Sequence, residues 1–141
     1  MKKFLRYLPY ILYTLGFVSF ILPVVYDSFD GSTISFNTFD IMFGLGGQEK
    51  SIGLILAFLM FLIGIVFSIT IEKNPSNFRL SIAIILTLAA GMLFFFSRML
   101  ANPNLTNFKI NIGLILPGLF IVSGSIILFI NKKIIANKKD E

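Results

Sequence analysis

Four long stretches without a charged side chain constrain this chain more than any other feature. They cover residues 7–25, 52–71, 80–97 and 111–131, and each holds about 18 to 21 residues, enough for a helix to cross about 30 Å of hydrocarbon. Their apolar residues are not confined to one helical stripe, so every face needs lipid or another apolar helix beside it. The sequence therefore predicts an all-α transmembrane fold, a single integral membrane domain of four spans over residues 1–141.

Composition agrees with this prediction and removes several kinds of chemistry. Hydrophobic residues make up 56% of the chain and charged residues 13%, and a chain this short cannot enclose so much apolar surface in a water-facing shell. The absence of Cys and His excludes disulfides, thiol nucleophiles, most zinc sites and the usual general base. We therefore expect no catalytic residue, no metal and no cofactor, and an enzyme acting on lipid is the least favoured class of function.

The positions of Lys and Arg predict the orientation in the membrane. Nine of them lie before the first span, between the second and third spans, and after the fourth, whereas three lie in the other two loops. Because an excess of Lys and Arg marks the cytoplasmic side, we expect a multi-pass protein of the cell membrane with both termini cytoplasmic. Lys2, Lys3 and Arg6 also fit the start of a signal peptide, but no small-residue cleavage site precedes Asp27, which favours a retained anchor. The basic residues lie at membrane exits, so membrane lipids and not nucleic acid are the expected partners.

The second and fourth spans begin alike. Residues 51–56 read SIGLIL and residues 111–116 read NIGLIL, and at the same offset Gly64 falls on Gly124. A duplication of a two-span unit would explain this and would point both halves in the same direction across the membrane. Convergence toward Leu, Ile and Gly is the alternative.

Small residues at helical spacing predict where the spans contact one another, because they let helix backbones approach closely. Pro117 and Gly118, in the fourth span, could bend the helix, and they fit either ordinary helix packing or a transport hinge. The candidate packing residues are Ala83, Thr87 and Gly91 in the third span, Gly53, Ala57 and Gly64 in the second, and Gly124 in the fourth.

Both predicted outer loops contain strand-like segments. Over residues 32–43 the apolar positions alternate and then change phase at Asn37 and Thr38, which suits a hairpin or a bulged strand. Residues 107–112 alternate in the same way. Since a hairpin alone is marginally stable, we expect the two outer loops to form one small antiparallel β-sheet over the outer ends of a four-helix membrane bundle.

The predicted layout has four spans, cytoplasmic termini, a longer strand-rich first outer loop and a shorter second one. It resembles the topology of the claudin-like membrane proteins. The claudin signature requires a Trp motif and two Cys in the first outer loop, and this chain has neither residue type. The resemblance is therefore one of topology and does not carry barrier or pore function with it. In its glycine positions and hydropathy the whole chain is also similar to small uncharacterised four-span proteins of bacteria, a similarity that implies no function.

The charge-free spans also bear on function. Ionisable residues inside spans mark ion and proton pathways, so their absence disfavours a proton-coupled exporter and a rotary-ring subunit. We expect a structural or accessory protein that binds a membrane-protein partner or a second copy of itself. The alternative is an oligomeric channel or uncoupled small-solute transporter, whose path would be lined by Thr87, Ser123, Ser125 and Asn111.

A few polar and aromatic residues are candidates for contacts at the membrane surfaces. Arg98 could pair with an acidic residue of the first outer loop, or could anchor the third span beside its aromatic residues. Tyr7, Tyr10 and Tyr13 predict an aromatic belt near the cytoplasmic surface. The candidate contacts for a partner or a lipid headgroup are Arg98, Asp27, Asp30, Asp40 and Lys109.

Overall fold

The structure is a computed structural model, and it describes residues 2–29, 32–45, 50–73, 76–96 and 112–137. The described part of the chain is mostly helical, which confirms the helical character that the sequence predicted. In chain order the elements are α1 (Lys2–Ser19), β1 (Pro23–Phe29), β2 (Ser32–Asn37), α2 (Thr38–Phe43), α3 (Ile52–Lys73), α4 (Asn77–Phe95) and α5 (Ile112–Asn137).

Among the described residues, two helices are long and apolar enough to cross a membrane, judged by length and composition. They are the segment Ile52–Ile71 of α3 and the segment Asn77–Phe95 of α4. These segments match the second and third spans that the charge-free stretches predicted. The apolar part of α5, Ile115–Asn131, is shorter.

The first predicted span is too long at its carboxyl end. α1 ends at Ser19, and the chain then turns, with the Leu22 amide donating to the Ser19 carbonyl at 3.1 Å, before β1 begins at Pro23. Proline has no N–H to donate and disfavours helical geometry in the residue before it, so Pro23 favours an end to the helix at this turn. The prediction of one helix over residues 7–25 is therefore wrong for its last six residues.

The four long helices pack side by side, and each runs antiparallel to the helices next to it. α3 packs closely against α4, α4 against α5, and α5 against α1. α1 and α3 meet through aromatic side chains, with ring centroids 5.9 Å apart for Tyr13 and Phe61 and 6.2 Å apart for Phe17 and Phe58. The core therefore has three close helix contacts and one wider contact that aromatic rings fill.

The two strands form one antiparallel hairpin within the first predicted outer loop. Tyr26 pairs with Ser35 and Phe29 with Ser32, and the register shifts between Pro23 and Val25. The predicted third strand, residues 107–112, lies outside the described residues except for Ile112, which begins α5. The sheet shared by both outer loops therefore stays a prediction.

The change of phase at Asn37 marks the start of a helix. The Asp40 amide donates to Asn37 Oδ1 and the Asn37 amide donates to Asp40 Oδ2, each at 2.9 Å, which is a capping box at the N-terminus of α2. α2 ends at Gly44, whose φ of 68° is the left-handed conformation common after a helix. The predicted hairpin or bulged strand at Asn37 and Thr38 is therefore wrong, and residues 38–43 are helical.

The buried Thr38 joins the hairpin and α2 to the ends of α1 and α5. Its amide donates to the Phe20 carbonyl at 3.1 Å, and its hydroxyl donates to the Gly113 carbonyl at 3.3 Å. A Cβ at Gly113 would lie 2.6 Å from the Pro23 carbonyl oxygen, so the start of α5 lies directly against the turn before β1. We call this the hairpin end of the helices.

Candidate functional site

Three buried hydroxyl groups meet where α1, α4 and α5 come together, and we call them the hydroxyl cluster. Tyr13 Oη donates to Thr87 Oγ1 at 3.2 Å, and Ser125 Oγ donates to the same oxygen at 2.8 Å. Thr87 Oγ1 in turn donates to the Ala83 carbonyl at 2.8 Å, and Ser125 Oγ lies 2.8 Å from the Ile121 carbonyl. Each of the three hydroxyl protons therefore has an acceptor inside the protein.

Local helix geometry explains how an apolar interior holds these groups. Thr87 and Ser125 bond to the carbonyl four residues earlier, which is how Ser and Thr satisfy their hydroxyls within a helix. Tyr13 is 2% exposed, and its ring is long enough to bring its hydroxyl from α1 to α4. The cluster therefore ties three helices together at one oxygen, Thr87 Oγ1.

Two glycines make room for the hydroxyl cluster. A Cβ at Gly64 would lie 2.5 Å from Thr87 Cγ2, and a Cβ at Gly124 would lie 2.7 Å from Tyr13 Cε1. Real side-chain atoms do not approach so closely, so each position accommodates its neighbour because it carries no side chain. Gly64 and Gly124 also coincide at the repeat offset, as Gly53 and Gly113 do, although the duplication itself stays a prediction.

The other predicted packing residues are buried or half-buried. Ala83, Thr87 and Gly91 are all buried on α4. On α3, Ala57 is buried and Gly53 is half-buried. The three α4 residues share the face that contains the hydroxyl cluster, so their spacing by four residues coincides with the inward side of that helix.

The backbones of α4 and α5 approach each other closely at Gly118, where the sequence allowed either ordinary packing or a transport hinge. A Cβ there would lie 2.8 Å from the Phe95 amide nitrogen and 2.9 Å from the Gly91 carbonyl oxygen. Both neighbours are backbone atoms of α4, so the backbones of α4 and α5 are in direct contact. Pro117 is buried inside α5, which continues as one helix from Ile112 to Asn137.

The predicted aromatic belt divides into three different environments. Tyr7 is exposed, Tyr10 donates from its hydroxyl to the Ser68 carbonyl of α3 at 2.9 Å, and Tyr13 is buried in the hydroxyl cluster. Sequence reasoning missed the role of Tyr13. Its distance from Arg6 was an available signal, because seven residues of helix place it about 10 Å farther along the axis than the last basic residue.

The structure brings together few of the candidate surface contacts. The carboxylate of Asp40 accepts the Asn37 amide in the capping box, so it serves the N-terminus of α2. Asp27 lies in β1 opposite Ile34. Arg98, Asp30 and Lys109 lie outside the described residues. The pairing of Arg98 with an acidic residue therefore stays a prediction.

The chemistry of the described interior is that of hydroxyl groups. Its buried polar residues are Ser19, Thr38, Ser51, Ser68, Thr87 and Ser125. In the described part of the chain, no group of three or more Asp, Glu, His or Cys side chains is placed to hold a metal ion. The hydrogen bonds that these hydroxyl groups make hold neighbouring helices together.

Comparison with protein-family models, with curated proteins and with solved structures gives no match to this chain.

The hydroxyl cluster gives a measurable prediction for a double-mutant cycle. We expect Tyr13→Phe and Thr87→Val to show a coupling of about 0.6 kcal/mol, and at most about 1.7 kcal/mol, because hydrogen bonds between membrane helices fall in this range. The measurement is the free energy of unfolding in mixed detergent micelles for the wild type, both single variants and the double variant. In the control cycle, Thr70→Val replaces Thr87→Val; Thr70 bonds locally to the Phe67 carbonyl, so coupling to Tyr13 should be near zero. Equal coupling in both cycles would contradict the cluster.

Proposed function

We propose that this chain is a four-helix integral membrane protein of structural or accessory type. In this proposal α1, α3, α4 and α5 span the cell membrane, both termini are cytoplasmic, and the protein acts by packing against a membrane-protein partner. Exposed apolar side chains on every long helix support the membrane setting, since such surface requires lipid or protein to cover it. Examples from the four helices are Ile11 at 45% exposure, Val66 at 60%, Ile85 at 64% and Phe129 at 56%.

The filled interior is the observation that carries the accessory role. Phe20 is fully buried, and its ring centroid lies 4.8 Å from that of Phe94 and 5.6 to 6.2 Å from those of Phe39, Phe58 and Phe61. Aromatic rings occupy the space between the helices near the hairpin end. Deeper in the protein, the hydroxyl cluster bonds internally. This arrangement supports a packed scaffold more than a conduit within one copy.

An oligomeric channel or uncoupled transporter is the alternative function, and it finds less support. Thr87 and Ser125, two residues expected to line a path, are buried within a single copy and bond to each other. Ser123 is exposed on α5, and Asn111 lies outside the described residues. A path between copies would therefore have to use the outward faces of the helices, which are mainly apolar.

Crosslinking in the native membrane, followed by purification, tests the accessory role. We expect a membrane protein to be recovered with this chain in fixed stoichiometry. A companion assay measures potassium and glucose flux in liposomes containing the purified chain, with empty liposomes as the negative control and an ionophore as the positive control. Recovery of the chain alone, together with flux above that of empty liposomes, would favour the channel over the accessory role.

Single-cysteine labelling tests the orientation, and the absence of Cys from the chain makes it direct. In intact cells we expect a membrane-impermeant maleimide to label Lys50→Cys, which is exposed just before α3, and not to label Lys133→Cys. Both variants should be labelled after the membrane is permeabilised, which controls for reactivity. Labelling of Lys133→Cys in intact cells would contradict cytoplasmic termini.

A further inference from the structure

The two prolines inside the described helices each free a backbone carbonyl. Pro9 lies inside α1 and Pro117 inside α5, and both side chains are fully buried. Because proline has no N–H, Pro9 cannot donate to the Leu5 carbonyl four residues earlier in α1. Pro117 likewise cannot donate to the Gly113 carbonyl in α5. Both carbonyls therefore lack the donor that a regular helix would supply.

A side chain from a distant part of the sequence donates to each of these carbonyls. Asn131 Nδ2 donates to the Leu5 carbonyl at 2.7 Å across 126 residues. Thr38 Oγ1 donates to the Gly113 carbonyl at 3.3 Å across 75 residues. Apolar helices accommodate proline where neighbouring groups bond to the backbone atoms that it frees. The same solution therefore occurs at both prolines, with donors from different elements.

The two bonds lie at opposite ends of α1 and α5. Thr38 bonds at the hairpin end, where its amide also donates to the Phe20 carbonyl just after α1. Asn131 bonds at the other end, where α1 begins three residues before Leu5 and α5 continues six residues beyond Asn131. We call the bond of Thr38 to Gly113 the hairpin latch, and the bond of Asn131 to Leu5 the terminal latch.

Exposure separates the two latches. Thr38 is fully buried, and its bond to the Gly113 carbonyl is buried with it. Leu5 is 38% exposed, and its bond to Asn131 lies at the surface. Water or another polar group can therefore take the place of Asn131 at the terminal latch, since such an exchange leaves no group unpaired. The hairpin latch has no such exchange without opening of the protein.

The segment before Pro9 is placed to move when the terminal latch opens. A proline ring crowds the carbonyl four residues earlier, so α1 bends most readily at Pro9. Pro9 itself is held against α5, since a Cβ at Gly124 would lie 3.3 Å from the Pro9 carbonyl oxygen. Phe4 and Tyr7 are exposed, so burial holds the segment before Pro9 less tightly than it holds Pro9.

We propose that Pro9 is a hinge and that Asn131 is a releasable latch for the first turns of α1. With the terminal latch closed, residues 2–8 lie beside the last turns of α5. When the latch opens, this segment swings away from α5 about Pro9, and the hairpin latch keeps the other end closed. The first turns of α1 thus open and close without unpacking the interior.

A double-mutant cycle tests whether Asn131 replaces the amide that Pro9 lacks. Pro9→Ala supplies an N–H to the Leu5 carbonyl, so loss of the Asn131 donor should matter less in that background. We expect Asn131→Leu to raise the equilibrium constant for unfolding about threefold in the wild type, and to change it little when Pro9→Ala is present. Pro117→Ala and Thr38→Val should behave in the same way at the hairpin latch. The measurement is equilibrium unfolding in mixed detergent micelles.

The crossed pairs are the matched control. Asn131→Leu in the Pro117→Ala background, and Thr38→Val in the Pro9→Ala background, should keep their full effects, because each donor lies at the opposite end from that proline. An effect of Asn131→Leu that Pro9→Ala leaves unchanged would overturn the terminal latch. Equal behaviour of matched and crossed pairs would do the same.

Spin labelling measures the movement itself, and the absence of Cys from the chain makes it direct. A nitroxide at Phe4→Cys reports on the segment before Pro9, and one at Val18→Cys reports on an exposed position of α1 beyond it. We expect Asn131→Leu to raise the mobile fraction of the spectrum at Phe4→Cys by about threefold, the factor expected for loss of one such bond, and to leave Val18→Cys unchanged. No rise at Phe4→Cys, or an equal rise at both positions, would contradict a hinge at Pro9.

Discussion

Replacing Phe20 by alanine is expected to lower the free energy of unfolding by about 3–5 kcal/mol, the usual range for removing a buried Phe. Phe20 is fully buried, and its ring contacts aromatic rings of α1, α2, α3 and α4. Removal of the ring leaves a cavity that four separate elements would have to close, and their backbones are tied to one another by other contacts. The measurement is equilibrium unfolding in mixed detergent micelles.

Phe129→Ala is the control for this prediction, because it makes the same chemical change on a surface. Phe129 is more than half exposed on α5, where lipid or detergent can fill the space that its ring leaves. We expect its effect to be below about 1 kcal/mol, since apolar tails replace the lost contacts. A loss in Phe129→Ala as large as that in Phe20→Ala would mean that the aromatic interior does not hold the helices together.

Gly118→Ala is expected to destabilise the protein by about 2–3 kcal/mol, although alanine is the better helix former. Helix propensity alone predicts that this change stabilises α5 by about 1 kcal/mol. The contact with α4 predicts the opposite sign, because the new methyl group would meet the Phe95 amide and the Gly91 carbonyl, which belong to the backbone. The free energy of unfolding of the variant therefore distinguishes the two effects by its sign.

Gly53→Ala provides the same substitution at the half-buried second residue of α3. There we expect stability to stay unchanged or to rise, as helix propensity predicts. If both alanine variants stabilise the protein, the direct contact between the backbones of α4 and α5 is wrong.

The sequence predicted where helices lie along the chain better than it predicted which face of each helix is turned toward the protein interior. Charge-free length was enough to locate α3 and α4, because a bilayer sets the number of apolar residues that a span needs. The inward face of such a helix is harder to predict, since lipid and protein interior are equally apolar. Small residues supplied the available signal, and Thr87 and Gly91 lie on the inward face for that reason. Tyr13 gave no such signal because its residue type also suits the membrane surface.

The errors at Val25 and Asn37 have a common physical origin. Both came from reading apolar patterns while giving less weight to local backbone chemistry. Pro23 disfavours a helix that continues to Val25, and Asn37 with Asp40 forms a helix cap that outweighs an alternating pattern. Both signals were present in the sequence. By contrast, the pairing of Arg98 required tertiary information that the described residues do not supply.

The hydrogen bonds of the hydroxyl cluster have a consequence for biogenesis. Thr87 and Ser125 each have an acceptor on their own helix, so neither of these two hydroxyl protons is unpaired when α4 or α5 enters lipid singly. Tyr13 has its acceptor on α4, 74 residues later in the chain, and therefore gains this bond only after α4 has been inserted. In the proposed membrane setting, the first helix to be synthesised is thus among the last to reach its final position.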